Sequence, residues 1–376
     1  MKASNAGAPE ILLITPQIEQ TVVELRQLLE NQHSVEIHCS NPTDFQGDKR
    51  GLVSRLRYYW LDPFSTMIRL AARVWRYQLV VTYYHRNGYW LGILGRLFRR
   101  RRSRWVWIGF APNPPKRGLR GWIKEYITYN ALLGVDLIVC NSMPVIDMIK
   151  QRYPKVSDHV AYARWGGSCP TLGESVDRGY IFCGGRTNRD FATVLEAVSE
   201  LACPTIFVAG KDADFPAHVP KHVSIYRDVS YESFERLVQE ARIVVMALKR
   251  PDISSGQVVL NSAMLSGKPV VVTAIAGMDD YVTSGRDAIL VAPGDVNDLK
   301  VKLALLLENP ERRKELGTAA RLTCENSFNS KAFAGQLFNI LTTACHGIWA
   351  TPSANRSDKI SDSRLGSGST HCWPER

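Results

Sequence analysis

Residues 180–190 read Tyr180-Ile181-Phe182-Cys183-Gly184-Gly185-Arg186-Thr187-Asn188-Arg189-Asp190: a short apolar run, two glycines, then two arginines and an acid ahead of an amphipathic stretch. Four apolar residues closed by glycines predict a buried strand at 180–183. Phe191, Val194, Leu195, Val198 and Leu201 fall on one face at helical spacing, so 189–201 reads as a helix. A strand that enters a helix through a glycine turn is the opening unit of a parallel α/β sheet. The same turn suits an anion. Glycine lets the backbone approach closely, a helix N-terminus offers N–H groups with no intrahelical partner, and Arg186 and Arg189 add charge. The turn therefore fits a diphosphate; a plain tight turn carrying two solvated arginines accounts for the same residues.

Working outward, the alternation continues in both directions. Toward the C-terminus come strands at 205–209, 223–226 and 243–247, a helix aligning Phe234, Leu237, Val238 and Ala241, a helix at 258–266, strands at 269–273 and 288–291, and a helix at 297–307. Asn309-Pro310-Glu311 starts another helix, with Asn as cap, Pro in the first turn and an acid beside the helix dipole. Toward the N-terminus, strands at 11–15, 35–38, 79–83, 105–110 and 137–140 alternate with a helix carrying Ile18, Val22, Leu25 and Leu29 and with helices at 88–98 and 119–133. The fold class is α/β, with two successive doubly wound domains. The first spans 1–165, a turn-rich linker 166–178 contains Gly166-Gly167-Ser168-Cys169-Pro170, and the second spans 179–329. A helix at 330–349 is expected to return toward the first domain, and 350–376, poor in apolar residues, reads as a disordered tail.

Composition narrows the function. The 376 residues are 45% hydrophobic, which excludes a disordered chain. The net charge of +11 sits in the first half: residues 1–165 hold 24 Lys+Arg against 12 Asp+Glu, and residues 166–376 hold 23 against 24. Between Lys49 and Lys124 there are 18 basic residues, one acid (Asp62) and six of the nine Trp. The opening ten residues carry no apolar signal segment, and no run reaches the ~18 apolar residues of a spanning helix. The expected setting is cytoplasmic, with reduced cysteines, since the eight Cys form no CxxC pair and Cys140 and Cys183 sit in strands. No HExxH spacing supports a metal, and Asp212-Ala213-Asp214 lies in the wrong context for a metal-binding acid pair.

A second polar stretch, Ser254-Ser255-Gly256-Gln257, opens the helix at 258–266, and Asn261 lies just over one turn further along. With Gly184, Gly185 and Arg186, these residues complete an ordered set: Val208-Ala209-Gly210-Lys211, Gly267-Lys268-Pro269, Gly277 with Tyr281-Val282, and Pro293-Gly294-Asp295 before Asn309-Pro310. Over roughly 140 residues this order resembles the donor domain of the family 4 retaining glycosyltransferases, which have the two-domain GT-B fold. The resemblance implies transfer of a sugar from a nucleoside diphosphate sugar, a UDP- or GDP-sugar, without a metal. It implies that Arg186 and Arg189 bind the diphosphate, that Gly184, Gly185, Lys211, Ser254, Ser255, Gly256 and Gln257 line the donor site, and that His85 faces the sugar from the first domain. The family commonly grips the donor ribose with the second of two glutamates seven residues apart; the aligned positions here are Ile253 and Asn261, so Asn261 is expected at the ribose. Loss of the two carboxylates also leaves open a catalytically inactive GT-B protein that partners an active transferase.

The basic window adds a location. Arg99, Arg100, Arg101, Arg102, Arg104 and Trp105, followed by Lys116 to Lys124 with Trp122, interleave cations and indoles in the manner that suits an anionic bilayer surface. The expectation is a peripheral protein on the cytoplasmic face of a membrane, working on a glycan or lipid-linked acceptor in cell-surface polysaccharide or glycolipid synthesis. Nucleic acid is the rival partner for such a cluster, but no nucleic-acid-binding module surrounds it.

Overall fold

A computed structural model describes residues 10–15, 19–39, 70, 73–83, 85–98, 103–112, 117–168, 176–216 and 218–345. The first sheet is wholly parallel, with strands β1 (Ile11–Thr15), β2 (Val35–Cys39), β3 (Leu79–Tyr83), β4 (Arg104–Ile108), β5 (Leu137–Cys140) and β6 (Val160–Tyr162) in the spatial order β2-β1-β3-β4-β5-β6. Near-continuous Ile, Leu and Val in β1, β3 and β5 are what a strand covered on both faces requires, and every residue of these three strands is buried. Helices α1 (Gln20–Glu30), α2 (His85–Leu97), α3 (Leu119–Leu132) and α4 (Met143–Arg152) cover the sheet. The reading above did not include α4 or β6. Their signal is short: Pro144 in the first turn of α4, Val145, Ile146 and Ile149 as its buried face, and only three residues of edge strand.

The second sheet repeats the architecture. Strands β7 (Ile181–Gly184), β8 (Thr205–Ala209), β9 (Val223–Arg227), β10 (Ile243–Met246), β11 (Val270–Thr273) and β12 (Ile289–Val291) lie parallel in the order β12-β11-β10-β7-β8-β9. The order reverses between β7 and β10. In such sheets the crevice beyond the carboxyl ends of the strands at that reversal is where ligands bind. Helices α5 (Phe191–Ser199), α6 (Tyr231–Gln239), α7 (Gln257–Leu265), α8 (Val296–Glu308) and α9 (Pro310–Ser327) complete the domain. Asn309 caps α9, accepting from the Arg312 N–H at 2.8 Å.

The chain then crosses back. Helix α10 (Ser330–Cys345) packs on α1, and its Phe333, Ala334, Leu337 and Leu341 share one buried cluster with Val22, Leu25 and Leu29 of the first domain. Burial of each large apolar side chain there contributes roughly 1.5–3 kcal/mol, so α10 ties the two domains together. The two crossing segments run side by side: Ser330 N–H donates to the Gly167 carbonyl at 3.0 Å. A Cβ at Gly166 would stand 2.2 Å from the Phe328 carbonyl oxygen, so only glycine permits the approach. Residues 350–376, expected to be a disordered tail, lie outside the described residues.

Candidate active site

The turn quoted at the outset lies at the carboxyl end of β7. Gly185 takes φ +131°, and a Cβ on it would sit 2.4 Å from Nε of Arg189, so the turn has no room for a side chain. Arg189 folds back into the space so left. It is nine per cent exposed; its Nε donates to the Gly184 carbonyl at 2.9 Å and its Nη1 to the Thr187 carbonyl at 2.8 Å. Among the described residues no carboxylate pairs with it. Burial lowers its pKa from the ordinary arginine value, yet a guanidinium remains charged in a protein. A buried cation whose only counterparts are carbonyl dipoles is costly unless an anion completes it.

A second loop braces the first. Asn188 takes φ +56°, a conformation that Asn tolerates better than most residues. Its side-chain amide donates to the Arg250 carbonyl at 3.1 Å and to Ser255 Oγ at 3.0 Å, while its oxygen accepts from the Arg250 N–H at 2.9 Å. This places Ser255 and Gly256 opposite the arginines. Gly256, at φ +96°, precedes α7; a Cβ there would meet Met246 Cε at 2.7 Å. No side chain caps the start of α7, so its first-turn N–H groups face the turn's surroundings without an internal acceptor.

Between these loops lies a cavity of about 480 Å³, lined by Gly185, Arg186, Arg189, Gly256 and Gln257 together with apolar Val208, Val229 and Phe234. Arg186 is a largely exposed side chain whose Nη2 lies 3.5 Å from Asp228 Oδ1. The cavity thus joins a buried cation and an exposed one to an apolar wall, with Asp228, the partner of Arg186, and Glu235 also in its lining. A smaller cavity of about 210 Å³ bridges the domains, with Phe110, Asn141 and Ser142 on one side and Ser254 and Gln257 on the other. Gln257 lines both, and its Nε2 donates to Ser254 Oγ at 2.7 Å.

The domains touch at this bridge. Tyr281 Oη donates to the Asn141 carbonyl at 2.8 Å and accepts from the Trp165 N–H at 3.1 Å. Asp280 Oδ2 accepts from the Met143 N–H at 2.8 Å, at the start of α4. Burial pushes the pKa values of both Tyr281 and Asp280 upward.

Several expected site residues stand elsewhere. Asn261 does not line the cavity that holds the arginines. It is buried, and its Nδ2 donates to the Phe328 carbonyl at 2.8 Å and lies 3.2 Å from Cys324 Sγ, so its amide holds the second interdomain crossing. Lys211 is exposed and lines none of the three cavities described here; its carbonyl accepts from Arg227 Nη1. Ser254 belongs to the bridging cavity. Trp105 cannot meet a membrane, because as a β4 residue it is fully buried beneath Leu91 and Trp75. His85 opens α2, but its side chain lies outside the described residues, as do Arg99, Arg100, Arg101 and Arg102. Arg104 pairs at 3.7 Å with Asp136. Trp122 is exposed on α3 beside exposed Leu119, Ile123 and Tyr126, with Arg120 and Lys124 on the same helix. Among the described residues no helix is long and apolar enough to cross a membrane, and no group of His, Cys, Asp or Glu forms a metal site.

Sequence reasoning passed over Asn188, Asp228 and Tyr231. Asn188 carried a signal, an Asn between two arginines after a glycine pair, but left-handed geometry is not visible in a single sequence. Asp228, at φ +49°, and Tyr231 follow an edge strand and become site residues only through the sheet order.

Comparison with known proteins agrees with this geometry. Residues 178–309 match the family described as Glycosyl transferases group 1. An uncharacterized glycosyltransferase of Methanocaldococcus jannaschii is 29% identical over 97 residues, 26% of this chain and 26% of that protein. The sulfoquinovosyl transferase of Arabidopsis thaliana is 36% identical over 97 residues, 25% of this chain and 19% of that protein. The match thus spans about a quarter or less of each curated relative's length. Among solved structures, sucrose-phosphate synthase from Thermosynechococcus elongatus superposes with a TM-score of 0.66 at 17% identity, covering 89% of this chain and 100% of that one. Anabaena HepE in complex with UDP gives 0.61 at 16% identity, again over 89% and 100%. The chain has the GT-B fold, and the part of its second domain at residues 178–309, with the buried Arg189 and the start of α7 at its sheet reversal, is similar to the Glycosyl transferases group 1 family.

Proposed function

We propose that this protein is a retaining glycosyltransferase that moves a hexose from a nucleoside diphosphate sugar to a hydroxyl of a glycan or lipid-linked acceptor. The observation that carries the reading is Arg189, a buried guanidinium without a carboxylate beside an empty-walled cavity of nucleotide size. A diphosphate supplies the missing anion. The base lies along Val208, Val229 and Phe234, the diphosphate between Arg189, Arg186 and the start of α7, and the sugar in the bridging cavity by Ser254, Gln257 and Ser142. The HepE structures, solved with UDP and with UDP-glucose, support a nucleotide sugar as donor.

In the reaction the bond from sugar C1 to the diphosphate oxygen breaks, and a bond from C1 to the acceptor hydroxyl oxygen forms on the same face. The hydroxyl proton passes to the departing phosphate, and negative charge grows on the leaving oxygen as it departs. Donors fixed in place before the reaction stabilise that charge without reorganising. His85, which opens α2, is assigned to the sugar side of the cleft by the family resemblance alone. The exposed indole and cations of α3 set the acceptor side against an anionic bilayer, where a lipid-linked acceptor resides.

The test is ligand-induced thermal shift with UDP, GDP and their sugars, because a ligand that binds only the folded state raises its melting temperature. A shift with at least one nucleoside diphosphate is expected. If every one leaves the melting temperature unchanged, the transferase reading fails.

A further inference from the structure

The cavity that holds the arginines runs across the carboxyl ends of three neighbouring strands. Gly185, Arg186 and Arg189 follow β7, Val208 and Ala209 close β8, and Asp228 and Val229 follow β9. Neighbouring strands lie about 4.8 Å apart, so the β9 end stands about 10 Å from the β7 end. That distance is comparable to the reach from a diphosphate to the outer edge of its base. The cavity therefore carries cations at one end and a carboxylate at the other, beside the apolar wall of Val208, Val229 and Phe234. Tyr231 and Val258 border both it and a neighbouring cavity of about 520 Å³.

Backbone geometry fixes the place of that carboxylate. The Asp228 N–H donates to the Ala209 carbonyl at 3.0 Å, and its φ of +49° ends the strand in a left-handed turn. The residue before it is engaged with the loop after β8: Arg227 Nη1 donates to the Gly210, Lys211 and Ala213 carbonyls at 3.1, 2.9 and 2.9 Å. Asp228 instead lines the cavity, where its partner is Arg186 at 3.5 Å. This pair is loose, and the guanidinium is 73% exposed. Exposed pairs of this kind contribute little to stability, so a diphosphate, with more than one negative charge, draws Arg186 away readily. Asp228 is then a carboxylate beside an apolar wall, and a base that expels water from it must supply hydrogen-bond donors in return. Glu235 also lines the cavity, but it is fully buried and accepts from Ser262 Oγ at 2.9 Å, whereas the Asp228 side chain is 28% exposed.

We infer that Asp228 reads the base of the donor and selects guanine, so that the donor is a GDP-sugar; this rests on the transferase reading and names its substrate. Guanine presents N1–H and the N2 amine side by side, two donors that match the two oxygens of one carboxylate. Uracil presents a single N3–H between two carbonyl oxygens, and a carboxylate repels both. Adenine and cytosine each set one amine beside a ring nitrogen that accepts. Guanine alone among these bases gives each carboxylate oxygen a donor. Arg186 passes from Asp228 to the diphosphate as the base arrives, and both charges keep partners.

Calorimetric titration of GDP, IDP, UDP and ADP into the full chain and into Asp228→Asn decides it. IDP is GDP without the N2 amine. Wild type is expected to bind GDP about tenfold or more tighter than UDP or ADP, because a site built to pair with donors rejects a base that lacks them. IDP should fall between GDP and UDP. Asn tolerates a left-handed φ, so the variant keeps the turn while losing the charge and one acceptor oxygen. It also frees Arg186, but that change acts on the diphosphate common to all four ligands, so the ratio of GDP to UDP affinity isolates the base. In the variant this ratio should drop by about tenfold, the scale of a lost charge-assisted pair. The inference is overturned if wild type binds UDP or ADP as tightly as GDP, if IDP matches GDP, or if the preference for GDP survives the substitution. The IDP comparison stands on wild type alone, whatever the variant does. Tight binding of UDP would sink this inference and leave the transferase reading in place; binding of none of the four would sink both.

Discussion

The two domains share an architecture and differ in what their sheet ends carry. At the end of β7 the second domain presents two glycines, a buried guanidinium and an uncapped helix, all fixed by backbone geometry. At the ends of β4 and β5 the first domain presents Phe110, Asn141 and Ser142, ordinary residues that any α/β domain could place there. The second domain is nearly neutral overall yet holds the buried cation Arg189, whereas the chain's excess positive charge belongs to the first domain. Net charge therefore says little about where an anionic substrate sits; desolvation of a single arginine says more.

That contrast predicts an order of effects. Arg189→Ala should lower donor turnover by about a hundredfold or more, the range for removing one preorganised charge-stabilising donor; initial rates within a few-fold of wild type would break the contrast. Gly256→Val forces a branched residue into φ +96° against Met246 and should cost about 2 kcal/mol or more in urea unfolding. Tyr281→Phe removes two of the three hydrogen bonds described at the interdomain bridge and should cost about 1–2 kcal/mol, since the Trp165 N–H and Asn141 carbonyl lose their partner. An unchanged unfolding midpoint would show that the bridge is not formed in solution. Trp122→Ala, on the first domain's exposed helix, should weaken binding to anionic vesicles and leave nucleotide binding alone, because the exposed indole is the side chain suited to the headgroup level. Equal partition of variant and wild type would remove α3 from the membrane account.

Most of the fold was legible because a parallel sheet demands apolar strands, and these alternate visibly with amphipathic helices. The element missed in the first domain, α4 with the three-residue β6, is short and lies at the sheet's edge. The glycine turn after β7 was legible for a related reason: glycine at Gly184, Gly185 and Gly256 is required by geometry, and geometry leaves a mark on sequence. Side-chain destinations leave less. Asn261 occupies the helix position expected for the ribose, but its rotation toward Phe328 and Cys324 depends on where α9 ends, some sixty residues later in the chain. Trp105 reads as part of an amphipathic basic run, yet strand alternation turns its ring into the core while Arg104 stays at the surface. Tyr231, on the wall shared by two cavities, follows an edge strand whose neighbour only the sheet order identifies.

The central claim is that a buried arginine in the second domain awaits a diphosphate. Calorimetric titration of UDP, GDP and the corresponding nucleosides into wild type and Arg189→Ala tests it directly. The account predicts that one nucleoside diphosphate binds wild type, that the substitution weakens it by about tenfold or more, as expected for a lost charge-assisted contact, and that the bare nucleoside binds both proteins weakly and alike. A nucleoside diphosphate that binds both proteins equally, or a bare nucleoside that binds wild type as tightly as its diphosphate, would contradict it.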